Sequence, residues 1–134
     1  MIDRYDTNPA VTLARADATV ATAIAAAPRN AQAYVAKGNV LRARKAFDGA
    51  AIAYEEAISL NPNLATLYAF KANGLILAGR AAGALPLVDK AIRLSPQDPS
   101  LSLWLYFACH AHMHLGQYDA AIEKCQKSVS MNPL

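Results

Sequence analysis

Apolar positions along this chain fall at helical spacing in short runs, and the runs recur. Tyr34, Val35, Gly38 and Leu41 form one run. Phe47, Ala50, Ala51, Tyr54, Ala57, Ile58 and Leu60 form the next, with the polar joint LRARKAFDG between them. The pattern then repeats as Tyr68, Ala72 and Leu75, a joint at Ala78-Gly79-Arg80, and Ala84, Leu85, Val88, Ala91, Ile92 and Leu94. Prolines punctuate it: Pro28, Pro62 and Pro96 stand 34 residues apart, and Pro133 closes a further copy 37 residues on. A fixed period of this length predicts a stacked array of helix–turn–helix units, all-α, without one closed core. Each helix is too short to be stable alone in water, so each must bury its stripe on a neighbour. Gly38, Ala50, Ala57, Ala72, Ala84 and Ala91 keep the paired helices close.

The units divide the chain as follows. Residues 9–29 read as the second helix of a unit lacking its first, with Ala16, Val20, Ala23 and Pro28 in register; full units follow over 30–63 and 64–97. The last, 98–134, is longer, and its first helix is expected from about Pro99 to Leu115, with Asp98 as N-cap and Pro99 in the first turn. Leu105, Ala108, Cys109, His112, Ala121, Cys125 and Pro133 take its pattern places.

These residues resemble the tetratricopeptide repeat, whose pattern runs W-x2-L-G-x2-Y, then A-x3-F, then P. Tyr34, Lys37, Gly38, Leu41, Ala50, Tyr54 and Pro62 stand in those places in the first full unit. In the second they are Tyr68, Lys71, Ala72, Leu75, Ala84, Val88 and Pro96. Lysines in the leucine place depart from the pattern, and their stems must bury while their heads reach water. The resemblance covers nearly the whole chain and implies a right-handed α-solenoid of about three and a half repeats. Within the family, LSPQDP followed by AHMHLGQYDAAIEKC is similar to the arrays of bacterial nucleotide-cyclase-like regulatory proteins. That implies a module of a larger signalling protein.

Composition adds bounds. The 134 residues make one domain by length, with 54% apolar and 17% charged residues. No apolar stretch is long enough for a membrane span. AVTLARADATVATAIAAAP is broken by Arg15 and Asp17 and lacks a preceding basic segment, so it reads as a helix and not as a leader. Cys109 and Cys125 fall on facing helices of one unit, where they can come close; the favoured reading is free, buried thiols in a reducing cytoplasm. The last helix is expected to keep an apolar flank through Ile122, Val129 and Met131, which suggests a fragment or an end that packs on something, including a second copy.

Candidate chemistry is sparse. There is no phosphate loop, zinc-type cysteine spacing or nucleophile elbow, and no cofactor is expected. His110 and His114 share a helix face, but His112 points elsewhere and no third ligand can be named, so no metal is expected. A net charge of +3 without a basic recognition helix argues against nucleic acid. An enzyme is not expected; a metal site or enzyme centred on the histidines stands as the least favoured alternative.

The resemblance implies that the first helix of each unit lines a concave groove. The first helices contain Lys37, Arg42, Arg44, Lys45 and Lys71 and no acidic residue, so the groove should favour an acidic peptide or a C-terminal carboxylate. The bland alternative is that Arg42, Arg44 and Lys45 only complement a helix C-terminus. Asn39 and Asn73 hold the same place in successive units, where a side-chain amide can grip an extended peptide, and His110 takes that place in the third. Val35 and Ala69 precede them by four residues, Arg42 and Ile76 lie beyond, and Tyr106 and Met113 surround His110. Trp104, Tyr106 and Phe107 span more than one face; a solvent-facing member would mark an interface. The expected function is a peptide- or protein-binding scaffold. Self-association or a spacer role beside a catalytic domain stands as the alternative.

Overall fold

The turns between helices follow from a few local bonds that repeat with the period. The computed structural model describes residues 8–131. Its helices are α1 (Pro9–Ala26), α2 (Ala31–Ala43), α3 (Phe47–Leu60), α4 (Ala65–Leu77), α5 (Ala84–Leu94), α6 (Leu101–His114) and α7 (Tyr118–Met131), with a 3-10 turn, Ala81–Gly83, before α5. The closing proline at 133 lies outside the described residues. Asn8 and Asn30 cap α1 and α2 by accepting from the backbone N–H two residues on, which satisfies a free amide of the first turn.

Inside each hairpin the joint is the same device. Lys45, Gly79 and Gly116 occupy equivalent places, all with left-handed φ, of 61°, 80° and 73°. The following N–H bonds back to the last turn: Ala46 to the Leu41 carbonyl, Arg80 to Leu75 and Gln117 to His112. Between hairpins, the Tyr34 hydroxyl donates to the Pro28 carbonyl, and the Tyr68 hydroxyl to the Pro62 carbonyl at 2.7 Å. The recurrence of tyrosine with proline therefore has a physical cause. The third unit has Leu105 in the tyrosine place and turns differently. Ser95 donates to one carboxylate oxygen of Asp98, and the other accepts from the Ser100 N–H at 2.8 Å. Asp98 thus fixes the turn before the helix, and α6 starts at Leu101, two residues later than the sequence suggests.

The hairpins α2–α3, α4–α5 and α6–α7 stack in chain order, with α1 against α2. The largest buried cluster joins Tyr68, Ala69, Ala72 and Ile76 of α4 to Val88 of α5 and to Trp104, Phe107 and Ala111 of α6. A smaller one joins Val35 of α2, Ala57 of α3 and Leu67 of α4. Each first helix therefore covers the hairpin before it, the packing rule of a solenoid.

One place in each hairpin sets the approach of its two helices. In the first, the Tyr54 ring fills the space left by Gly38, where an added Cβ would sit 2.3 Å from the ring. In the second the same pair is Ala72 and Val88. In the third it is Cys109 and Cys125, whose Cα atoms are 5.4 Å apart and whose sulfurs are bonded. The expectation of free thiols is corrected here. Facing places at hairpin contact distance are where two cysteines can be bridged without moving the backbone. The cysteine-based reason for a reducing compartment goes with it.

Candidate functional site

Asn39 is half-buried on α2, and its side-chain oxygen accepts a 2.7 Å hydrogen bond from the Tyr54 hydroxyl. That bond comes across the hairpin from α3, so the amide is held by the same tyrosine that Gly38 admits. With its oxygen engaged, the amide turns its N–H donors away from Tyr54. Asn39 and Gly38, as successive residues, lie on different faces of α2; the tyrosine is long enough to reach both. Burial raises the Tyr54 pKa above the ordinary tyrosine value, and the nearby positive charge of Arg42 lowers it in part.

Asn73, at the same place on α4, is also half-buried. Its hairpin partner is Val88, which has no hydroxyl to give, so its amide is not held in the same way. Arg42 is half-buried one turn beyond Asn39, with no carboxylate in ion-pair range among the described residues. Two of the other basic residues are paired: Arg44 with Asp17 of α1 at 3.4 Å, and Lys71 with Glu55 of α3 at 3.7 Å. The positive character therefore narrows to Lys37 and Arg42 on α2 and Lys45 in the joint after it.

Three expected contact residues turn out to be packing residues. Val35, Ala69 and Ile76 keep only 8%, 0% and 2% of their surface. Each lies in a cluster that the next hairpin closes, so none is open to a ligand. Small or β-branched residues there serve the stacking of first helix on first helix. Their counterparts in the last hairpin, Tyr106 and Met113, are exposed. Of the three aromatics near them, Trp104 and Phe107 are core and Tyr106 faces solvent.

Tyr106 and His110 stack with ring centres 4.8 Å apart, the hydroxyl 3.3 Å from Nε2, and His114 meets His110 edge-on at 6.0 Å. His112 instead bonds Gln117 at 2.7 Å, in the joint to α7. Among the described residues no three potential ligands gather around a metal-sized point. None of their helices is long and apolar enough to cross a membrane.

Sequence reasoning missed Tyr54 as the residue that orients Asn39. The signal was present, since Gly38 keeps the paired helices close and Tyr54 lies in the apolar run of the second helix; the destination of the hydroxyl was not in it.

Stacked helical hairpins with polar side chains at recurring register places define a repeat scaffold. Two tetratricopeptide-repeat models match this chain, at residues 31–64 and 75–128, and the chain belongs to that family. It is similar to the small glutamine-rich tetratricopeptide repeat-containing protein 2 of Mycosarcoma maydis, 32% identical over 98 residues. That alignment takes in 73% of this chain and 27% of the relative. Tetratricopeptide arrays are protein-interaction scaffolds, and the family assigns this chain that general role.

Proposed function

We propose that the array is a non-enzymatic scaffold that holds an acidic peptide segment or a free C-terminal carboxylate against α2 and α4, through Asn39, Arg42 and Asn73. The observation that supports this best is the Tyr54–Asn39 bond. It commits the amide oxygen and leaves donors beside an unpaired guanidinium, a set suited to carboxylates and peptide carbonyls. A preset amide also spares the receptor the entropy of ordering it on binding. A single short segment held this way binds at about micromolar strength.

Fluorescence polarisation tests it with a labelled acidic peptide bearing a free C-terminus, and with its amidated twin. Arg42→Gln and Asn73→Ala should each weaken the acidic peptide about tenfold, which corresponds to ~1.4 kcal/mol. Undiminished affinity in both variants removes the mechanism. Asn39→Ala is the less clean probe, because it also strands the buried Tyr54 hydroxyl.

A second reading, self-association through α7, is favoured by the exposure of Ile122, Val129 and Met131. We further infer, from the strings LSPQDP and AHMHLGQYDAAIEKC, a module that works beside a bacterial signalling domain. A cytoplasmic setting requires that the Cys109–Cys125 bond be open there. Rapid alkylation of the protein from intact cells, followed by mass measurement, reads that state directly.

A further inference from the structure

The interior hairpins show what covers the places that the last described hairpin leaves exposed. On the first helices, Val35 is covered by Leu67 of the next hairpin, and Ala69 and Ile76 cluster with Trp104, Phe107 and Ala111 of α6. On the second helices, Ile58, Leu85 and Ile92 pack against the same clusters. The equivalent side chains of the last hairpin are Tyr106 and Met113 on α6, and Ile122 and Val129 on α7. Their exposures are 43%, 51%, 55% and 67%, so places that are sheltered in the interior are open here. A cavity of about 460 Å³ lies between the two helices at one end of the hairpin, lined by Leu103 and Tyr106 from α6 and by Ser128 and Met131 from α7. So many exposed large apolar side chains on one hairpin mark an interaction face.

What the interior lays on such a surface is a helix with an apolar stripe. Among the described helices, α6 leaves Leu103, Tyr106 and Met113 exposed, and α7 has a stripe where exposed Tyr118, Ile122 and Val129 follow one another at helical spacing. Lys124 and Lys127 fall on the opposite side of that helix, and no charged residue lies in the stripe. Two copies can therefore bring the same face together without like-charge repulsion, as a two-fold interface requires.

We propose that Tyr106 and Met113 of α6, with Ile122 and Val129 of α7, form a two-fold interface with a second copy of this chain. The second copy's α7 lies there where the next first helix lies in the interior. This rests on the self-association reading and extends it to α6. It also moves Tyr106 and Met113 out of the peptide site, which leaves Asn39, Arg42 and Asn73 to the ligand.

Sedimentation equilibrium of the full chain, with the disulfide intact and over a wide concentration range, tests the interface. The mass should rise from 14.3 kDa to twice that value. Val129→Glu and Met113→Glu should each weaken the dimer at least tenfold, while Ile52→Glu, at an exposed apolar place on α3, leaves it unchanged. Circular dichroism checks that each variant keeps its helix content, and Tyr106→Ala supplies a milder change at the same face. A monomer at every concentration overturns both the interface and the self-association reading. A dimer that Val129→Glu breaks but neither Met113→Glu nor Tyr106→Ala weakens overturns this interface alone, and leaves self-association through α7 standing.

Discussion

Tyr54 concentrates most of the residue-level physics of this array. Its ring occupies the space above Gly38, comes within 3.9 Å of where a Cβ on Gly74 would stand, and lies 5.7 Å from the Phe70 ring centre. Its hydroxyl is used as well, on Asn39. Tyr54→Phe should cost about 1 kcal/mol at neutral pH, because the part-buried amide oxygen loses its donor. The sign of the pH effect follows from burial. The folded-state pKa lies above the unfolded one, so this stabilisation is complete below the ordinary tyrosine value and is lost as pH rises through the folded value. Urea melts at pH 7 and above pH 10 should show wild type losing more stability than Tyr54→Phe over that interval. Parallel losses would place the alkaline effect on other groups. Lys45 is the other residue with a clear outcome. It holds a left-handed conformation, φ 61°, that its two counterparts hold as glycine. Lys45→Gly should stabilise the chain by about 0.5–1 kcal/mol, after the loss of its charge near the α2 C-terminus, and thermal melts read it.

Among the elements, the last hairpin departs furthest from the repeat. It has no tyrosine-to-proline clasp, its second helix buries only Ala121 and Ser128, and the disulfide takes the place of a packing contact. A reciprocal bond helps: the Ser102 hydroxyl donates to the Ser128 carbonyl at 3.0 Å, and the Ser128 hydroxyl to the Ser102 carbonyl at 2.7 Å. Hydroxyls here close one helix on the other where apolar side chains would do so elsewhere. The covalent link should still dominate. Reduction with a dithiol should lower the stability of α6–α7 by about 3 kcal/mol, the loop-closure value for a segment of this length. Amide exchange in α7 should rise accordingly. Cys109→Ala with Cys125→Val, which imports the pair used by the second hairpin, should make α7 indifferent to reductant. The same exchange rate in wild type with and without reductant would show that the bond contributes nothing.

At the scale of the whole molecule, stability should follow the stacking order. The middle hairpin is covered on both sides, and seven residues of α4 are buried; α1, of 18 residues, buries only Val20. Because each unit touches only its neighbours, opening should begin at the ends. Amide exchange should be fastest in α1 and slowest in α4, by at least a hundredfold. Uniform exchange across α1 and α4 would mean that the array opens as one body.

The hairpins and their turns could be read from the chain because they depend on short-range spacing. Apolar residues three or four apart make a stripe, a proline sits at each break between units, and Gly79 sits in the joint inside one. The register was also legible, and so was the apolar flank of α7. What each register place meets was not. Val35, Ala69 and Ile76 pass every sequence test for a groove, yet the following hairpin buries them, and Tyr106 and Met113 differ only in having no such cover. The partner of Asn39 lies fifteen residues away across a hairpin, and the cysteine pairing depends on how closely α6 and α7 approach. Spacing along one helix fixes direction around its own axis. Burial, pairing and access are properties of the space between helices, and only the stacked structure supplies that space.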